Sequence, residues 1–526
     1  MHEHVILTTS AVLALSYIVP VARHFAAPGL GQELKCHVRI AVPSVLRYLF
    51  FTISKSLFVA LVGHMDADPV EHFDGAALGI SLVNITGLSI GLGFLGAMAP
   101  FVAQECGSGR PDRCGLHLRN YYICTAVIFT CSWSISHWAD VIMLSLGQDA
   151  KVSLCVQKFA SIAVWSLPFQ LIVKGIQQVL DAQADVVPGL VTDVTTALVQ
   201  LPLAYFTLNA GYGYQGAAVG RVVCNALALA FLASWVFYTG RAKSVWHVDV
   251  QEPRAPMLPF LGLASYSVVA CCIEWWAQEC MIIWSGWLPS APTMVAVQGI
   301  LFTLACIFYM VWVGTKNAMS MRVGNLIGAG EASKVLQALL VGVVMGVVEV
   351  FMVLSVGFLL RDELIDAFTT NASVAAQIVE VWPVMLACFV PYSITFVLFG
   401  VLAGAGRQGV VACSFCACCF FGMCVGLHLC FVEDFSLKGL WFGNFAFFLS
   451  ASVVLYTIVV RTDWNALESL SADYQSIDRK MTPTMDPHVD FLKKRNEAAP
   501  ANSLLSAADS TGECSSSGSD FCETPR

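Results

Sequence analysis

Glu274 and Glu279 are the strongest chemical signal in this sequence. Both stand in the apolar run Val268-Val269-Ala270-Cys271-Cys272-Ile273-Glu274-Trp275-Trp276-Ala277-Gln278-Glu279, with no basic residue beside them. At bilayer depth a charge costs about 2.5–3.5 kcal/mol on insertion scales, so such a residue is rare unless a function or a partner retains it. A carboxylic acid in an apolar cavity can hold a proton or pair with a cation, which is the chemistry of an exchanger. Five residues apart, the two carboxylates lie about 140° around an ideal helix, so both reach one cavity only if it is wide or the helix bends. Trp275 and Trp276 offer a cation–π face; the plainer reading places them in packing or at the lipid interface, with one Glu near the headgroups.

Other ionisable residues interrupt apolar stretches: Lys55, Lys174, Asp193, Lys316 and Glu349. Lys174 and Asp193 suit a structural ion pair or a second ion site, and Lys316 can snorkel toward the membrane surface. The tightest cysteine cluster, Cys413, Cys416, Cys418 and Cys419, has no His at ligand spacing, so packing is expected there and no metal. There is no G-x-x-x-x-G-K-[ST] phosphate loop and no H-E-x-x-H. The sequence therefore points away from an enzyme and calls for no cofactor.

The elements that position these residues follow from composition. Of 526 residues, 57% are hydrophobic and only 12% charged, about half the ~25% of a soluble domain. The mean hydropathy is +0.71. With 28 basic against 36 acidic residues, a net charge of −8 and no basic block, a nucleic-acid partner is excluded. An all-α polytopic membrane protein is expected, with the lipid bilayer as its surroundings. Twelve stretches reach the roughly 20 apolar residues a crossing needs. They lie near 40–63, 74–99, 119–146, 155–181, 187–208, 215–240, 258–286, 293–316, 335–360, 376–404, 409–432 and 439–460. A further apolar segment, Val5 to Ala22, reads as a signal, an anchor or an extra helix. Beyond Arg461 the chain is polar and Ser-rich, and disorder is expected.

Basic residues orient the crossings. Arg110, Arg113, Arg241, Lys243, Arg254, Arg322, Lys334 and Arg407 fall in loops of one side, against only Lys151, Arg361 and Lys438 on the other. The first set marks the cytosolic side. The chain also repeats itself. Ala97-Met98 with Val102, Gln104, Gly107 and Gly109 recurs about 221 residues later as Ala318-Met319 with Val323, Asn325, Gly328 and Gly330. Pro168 matches Pro391, and Gly216 and Gly220 match Gly439 and Gly443. Each pair keeps the parity of the helix count, so the halves run in the same direction. Two parallel six-helix lobes with a substrate site between them are a transporter architecture. The expected divisions are an N-terminal segment 1–31, lobes at 32–241 and 257–462, a cytosolic linker 242–256 and a tail 463–526.

Over residues 32–463 the chain resembles the multidrug and toxic compound extrusion (MATE) family in its eukaryotic form. The resemblance rests on Val62-Gly63-His64, Val83-Asn84-Ile85-Thr86-Gly87 and the Gln104 to Gly109 element. In the second half it rests on Glu274-Trp275-Trp276-Ala277 with Glu279, Ser285-Gly286, Arg322-Val323-Gly324-Asn325 before Gly328-Ala329-Gly330, and Gly439-Leu440-Trp441. It implies a secondary antiporter exporting organic cations in exchange for protons, in preference to sodium, by alternating access. The expected setting is the plasma membrane or a vacuolar or vesicular membrane. Glu274 and Glu279 match the family's acidic pair, Trp275 and Tyr309 its cavity aromatics, and Asn84 a polar first-lobe position. The chain also departs from the pattern. Tyr392 stands where eukaryotic members usually carry an acid, Phe58 where prokaryotic members carry Asp, Ala99-Pro100 replaces Asp-Thr, and Gln278 replaces a tyrosine. With one acid fewer, and with Lys55 and Lys174 in the first lobe, export of organic anions or secondary metabolites stays open. So does a lipid-linked oligosaccharide flippase or a non-transporting relative.

Overall fold

Hydrocarbon offers no hydrogen bonds to a peptide group, so each apolar stretch satisfies its backbone internally and becomes a helix. The computed structural model describes residues 30–65, 69–246, 257–369, 371–467 and 469. The expectations for residues 5–22, and for most of the linker 242–256 and the tail 463–526, lie outside the described residues, as do the side chains of Lys55 and Phe58.

The first lobe begins with α1 (Leu30–Met65). Then α2 (Pro69–Val83) runs through a π-helical turn at Asn84–Leu88 into α3 (Ser89–Gly107). It continues with α4 (Cys114–His137), α5 (Ala139–Ser145), α6 (Ala150–Ala163), α7 (Ser166–Ala182), α8 (Val187–Thr207) and α9 (Gln215–Tyr238). A short α10 (Ala242–Trp246) precedes the second lobe. That lobe comprises α11 (Met257–Ser285), α12 (Ala291–Gly328), α13 (Val335–Leu359), α14 (Arg361–Asp366), α15 (Ala372–Gly404), α16 (Gln408–Phe431) and α17 (Leu437–Arg461). Among the described residues ten helical spans can cross a membrane unbroken. Two more are bent, by 64° where α4 meets α5 and by 44° between α6 and α7, which makes up to twelve crossings. Pro168 in the first turn of α7 lacks the N–H that would continue the α6 ladder, which accounts for the second bend. No strand occurs among the described residues.

Each lobe has its own core. Met98, Leu118, Tyr121, Leu171 and Ile176 pack the first; Trp312, Phe389, Phe396, Phe415 and Phe448 pack the second. The lobes meet where α1 packs on α12 and where α3 packs on α11 and α12. There α12 runs 38 residues, well beyond the 293–316 stretch read from hydropathy. The extension carries the polar Arg322-Val323-Gly324-Asn325 element, and most of its side chains are buried against protein, so hydropathy understates the helix.

The repeated element is the closure between the lobes. A Cβ built on Gly107 would stand 2.1 Å from the Asn325 carbonyl oxygen, and one on Gly328 would stand 2.2 Å from the Gln104 carbonyl oxygen. Each glycine thus receives the backbone of its counterpart's repeat, a contact only glycine permits. Arg322 grips Glu33 at the start of α1 with two hydrogen bonds of 2.6 and 2.7 Å. Asn325 donates to the Ala182 carbonyl at 3.3 Å. Both repeats then stop in the same way. Gly109 and Gly330 take positive φ of 76° and 74°, and the next N–H groups, on Arg110 and Glu331, reach back to the Glu105 and Leu326 carbonyls. These are Schellman ends. The closed end carries Arg110, Arg113, Arg322 and Lys334, the basic side of the sequence.

Candidate functional site

Above the closure a cleft of about 1130 Å³ lies between the lobes. From the first lobe it is walled by Tyr48, Phe51, Leu92 and Gly96, and from the second by Glu274, Trp275, Tyr309 and Lys316. A side pocket of about 470 Å³ continues into the second lobe among Phe302, Phe389, Tyr392 and Trp441, and shares Glu274, Trp275 and Tyr309 with the cleft. Among the described residues Glu274 is the sole carboxylate lining either space, and it is 6% exposed.

Helix packing sets this geometry. At Gly93 on α3, an added Cβ would meet the Val268 backbone of α11 at 2.6 Å, and this close crossing brings the stretch bearing Glu274 to the cleft. On the far side Gly443 of α17 lies against Gly422 and Gly426 of α16. The Trp441 indole donates to Gln298 Oε1 at 3.0 Å, which fixes the aromatic floor of the side pocket. Tyr392 stacks on Phe448 with ring centroids 3.7 Å apart and meets Tyr309 edge-on at 5.6 Å.

A carboxylate surrounded by aromatic rings needs a proton or a cation to offset its lost hydration. Tyr309 lines both spaces beside Glu274, and Lys316 lines the cleft with it. The Lys316 ammonium lies over the Phe399 and Phe396 rings, 4.7 and 5.5 Å from their centroids. It faces the cleft, correcting the expectation that it snorkels to the membrane surface. The cation–π contacts hold it inside.

Of the residues singled out from the sequence, the structure brings together Glu274, Trp275, Tyr309 and Tyr392. It does not bring Glu279, whose side chain is exposed on another face of α11; that helix shows no break that would turn both acids inward. Asn84 lies in the π-helical turn and lines neither space, with its Oδ1 buried and without a hydrogen bond. Two of the departures from the family pattern form one unit: the Gln278 amide reaches the Tyr392 hydroxyl at 3.5 Å and Asn444 Oδ1 at 3.2 Å. Glu349, on α13, accepts from Thr315 away from the cleft.

Lys174 and Asp193 pair at 2.9 Å, inside a larger first-lobe network. Arg47 holds Asp181 in a two-bond clasp of 3.0 and 2.7 Å, and Asn317 of the second lobe donates to the same carboxylate at 3.1 Å. Sequence reasoning passed over Arg47, Asp181 and Arg221. All three fall within or at the edge of the apolar stretches, so the rule that selected Lys174 could have found them.

The MatE family profile matches residues 43–206 and 267–428 of the chain. Protein DETOXIFICATION 49 of Arabidopsis thaliana is 27% identical over 439 residues, 82% of this chain and 86% of its own. Multidrug and toxin extrusion protein 1 of Xenopus tropicalis is 28% identical over 445 residues, 82% of this chain and 75% of its own. The crystal structure of the eukaryotic MATE transporter AtDTX14 superposes with a TM-score of 0.78 at 22% identity, over 85% of this chain and 99% of that one. A Vibrio cholerae MATE transporter gives 0.74 at 14% identity, over 83% and 99%. At these identities the structural likeness is one of fold.

Proposed function

Because the chain belongs to the MatE family, and so is a multi-pass membrane transporter of the multidrug and toxin extrusion class and not an enzyme, we propose that it exports small organic monocations in exchange for protons, through Glu274. One observation carries this reading: among the described residues Glu274 is the single carboxylate that lines both the inter-lobe cleft and its aromatic side pocket. A single acid accommodates one proton or one positive charge, so the exchange is one for one and electroneutral. Trp275, Tyr309 and Tyr392 supply aromatic faces for the body of the cation.

With basic loops cytosolic, the closure at Gly107 and Gly328 seals the cytosolic end, and the described state faces outward. In that state Glu274 takes a proton from outside and the cation leaves. When the lobes rock, the contacts at Arg322 and the two glycines part, the proton passes to the cytosol and a new cation binds. Each unit of pH gradient is worth about 1.4 kcal/mol, a tenfold concentration of substrate.

The test is uptake of labelled tetraethylammonium into proteoliposomes under an imposed pH gradient. Uptake that follows the gradient and disappears in Glu274→Gln supports the proposal. Gradient-driven uptake that persists in a folded Glu274→Gln protein sinks it. Uptake of a labelled organic anion in place of the cation would favour the alternative substrate class, for which Lys316 in the cleft is the relevant charge.

A further inference from the structure

The first lobe contains a second polar pocket that the exchange cycle does not use. It lies between α1, α7, α8 and α9. Among the described residues three buried cations serve this region, Arg47, Lys174 and Arg221, against two buried carboxylates, Asp181 and Asp193. The carboxylates are accounted for. Asp181 is clasped by Arg47. Asp193 accepts from Lys174 at 2.9 Å and from Gln177 at 3.1 Å, with Arg47 Nε at 3.7 Å. Among the described residues one positive charge is left over, and it is Arg221.

Arg221 is 6% exposed and lines the pocket, yet among the described residues its guanidinium pairs with no carboxylate. Among the described residues its guanidinium donates no hydrogen bond, while its backbone carbonyl accepts from the Asn225 amide at 2.8 Å. An arginine six residues into a helix could reach the membrane surface, about 9 Å away; the low exposure shows that this one does not. A buried guanidinium without a counter-charge is costly, and its five donors suit a planar carboxylate in two-point contact. Gln170, Thr196 and Asn225 add polar groups to the same wall, while Phe51, Val173 and Ala228 form an apolar one.

We propose that this pocket binds a small organic carboxylate, with Arg221 as its counter-charge and the Phe51 wall against its hydrocarbon part. The apolar wall favours an organic anion over a halide. The site is independent of Glu274, which lies in the other lobe and does not line it.

The test is thermal unfolding of the detergent-purified full chain, with benzoate titrated against a bulky sulfonate buffer at constant ionic strength. Native protein and Glu274→Gln are both expected to show a saturable rise in Tm. Arg221→Gln is expected to unfold at a higher temperature than native protein when benzoate is absent, because an uncompensated charge is gone. It should also require at least ten times more benzoate for any shift. Arg221→Lys, which keeps the charge but not the fork, should respond weakly, and it carries the test should Arg221→Gln not fold. The proposal is overturned by an unresponsive native protein, by a benzoate response that survives in Arg221→Gln, or by an equal response of native protein to chloride, which would make the occupant an inorganic anion.

Discussion

Gly328→Ala places a methyl group where the closed molecule has no room for it. The new Cβ would lie 2.2 Å from the Gln104 carbonyl oxygen, and the obstruction is backbone that cannot rotate away. Relief requires α3 and α12 to separate by about 1 Å, and overpacking of this kind costs typically about 1–3 kcal/mol. The cost falls on the closed state alone, because the two helices part when the lobes rock. A differential of that size shifts the two-state ratio by a factor of roughly 5 to 150. Gly107→Ala should act alike, with its Cβ 2.1 Å from the Asn325 carbonyl oxygen. The double variant should cost less than the sum, since separation forced by the first methyl makes room for the second. Gly299→Ala on the same helix is the control: nothing lies within 4 Å of its added Cβ, so helix propensity alone predicts stabilisation by up to about 1 kcal/mol. The assay is double electron–electron resonance between labels at Arg110 and Glu331, introduced as non-natural residues because the chain has many cysteines. Gly328→Ala should enrich the long-distance population and slow exchange, while Gly299→Ala should do neither. Unchanged distances and rate in Gly328→Ala would refute the glycine closure.

Glu279→Gln should retain at least half of the pH-driven tetraethylammonium uptake, since its side chain lies outside the cleft; loss equal to that of Glu274→Gln would bring the two acids back into one site. Removing one partner of the Arg322–Glu33 pair leaves a largely buried charge, so Glu33→Ala should destabilise the folded protein by about 3–5 kcal/mol, and Glu33→Ala/Arg322→Ala should recover part of it in a thermal-unfolding comparison. Tyr392→Phe removes only a 3.5 Å hydrogen bond from Gln278, at the limit of useful geometry, so a loss of less than about 1 kcal/mol is expected, with the pH dependence of uptake unchanged. Reversing the imposed pH gradient should reverse the direction of net cation movement in native protein; flux indifferent to the sign would exclude proton coupling.

The linear chain already held the architecture, because the energetic demands of hydrocarbon are written residue by residue. Each crossing must be apolar and about twenty residues long, basic loops gather on one side, and the recurrence of Ala97-Met98 at Ala318-Met319 discloses two lobes. Glu274 was legible for the same reason, since an acid in such a run is an anomaly by itself. What the chain could not disclose is direction around a helix once two lobes pack. Glu274 and Glu279 have the same chemical signature in the sequence, yet only the packing of α11 on α3 and α12 determines that one enters the cleft and the other stays exposed. Likewise, Gly107 and Gly328 appear as repeat markers, and only their meeting across the lobes makes them a closure. Charge balance is also a property of the assembled fold. Arg47, Lys174, Asp181 and Asp193 lie on three helices and cancel only when those helices touch, and among the described residues that cancellation leaves Arg221 as the unmatched charge.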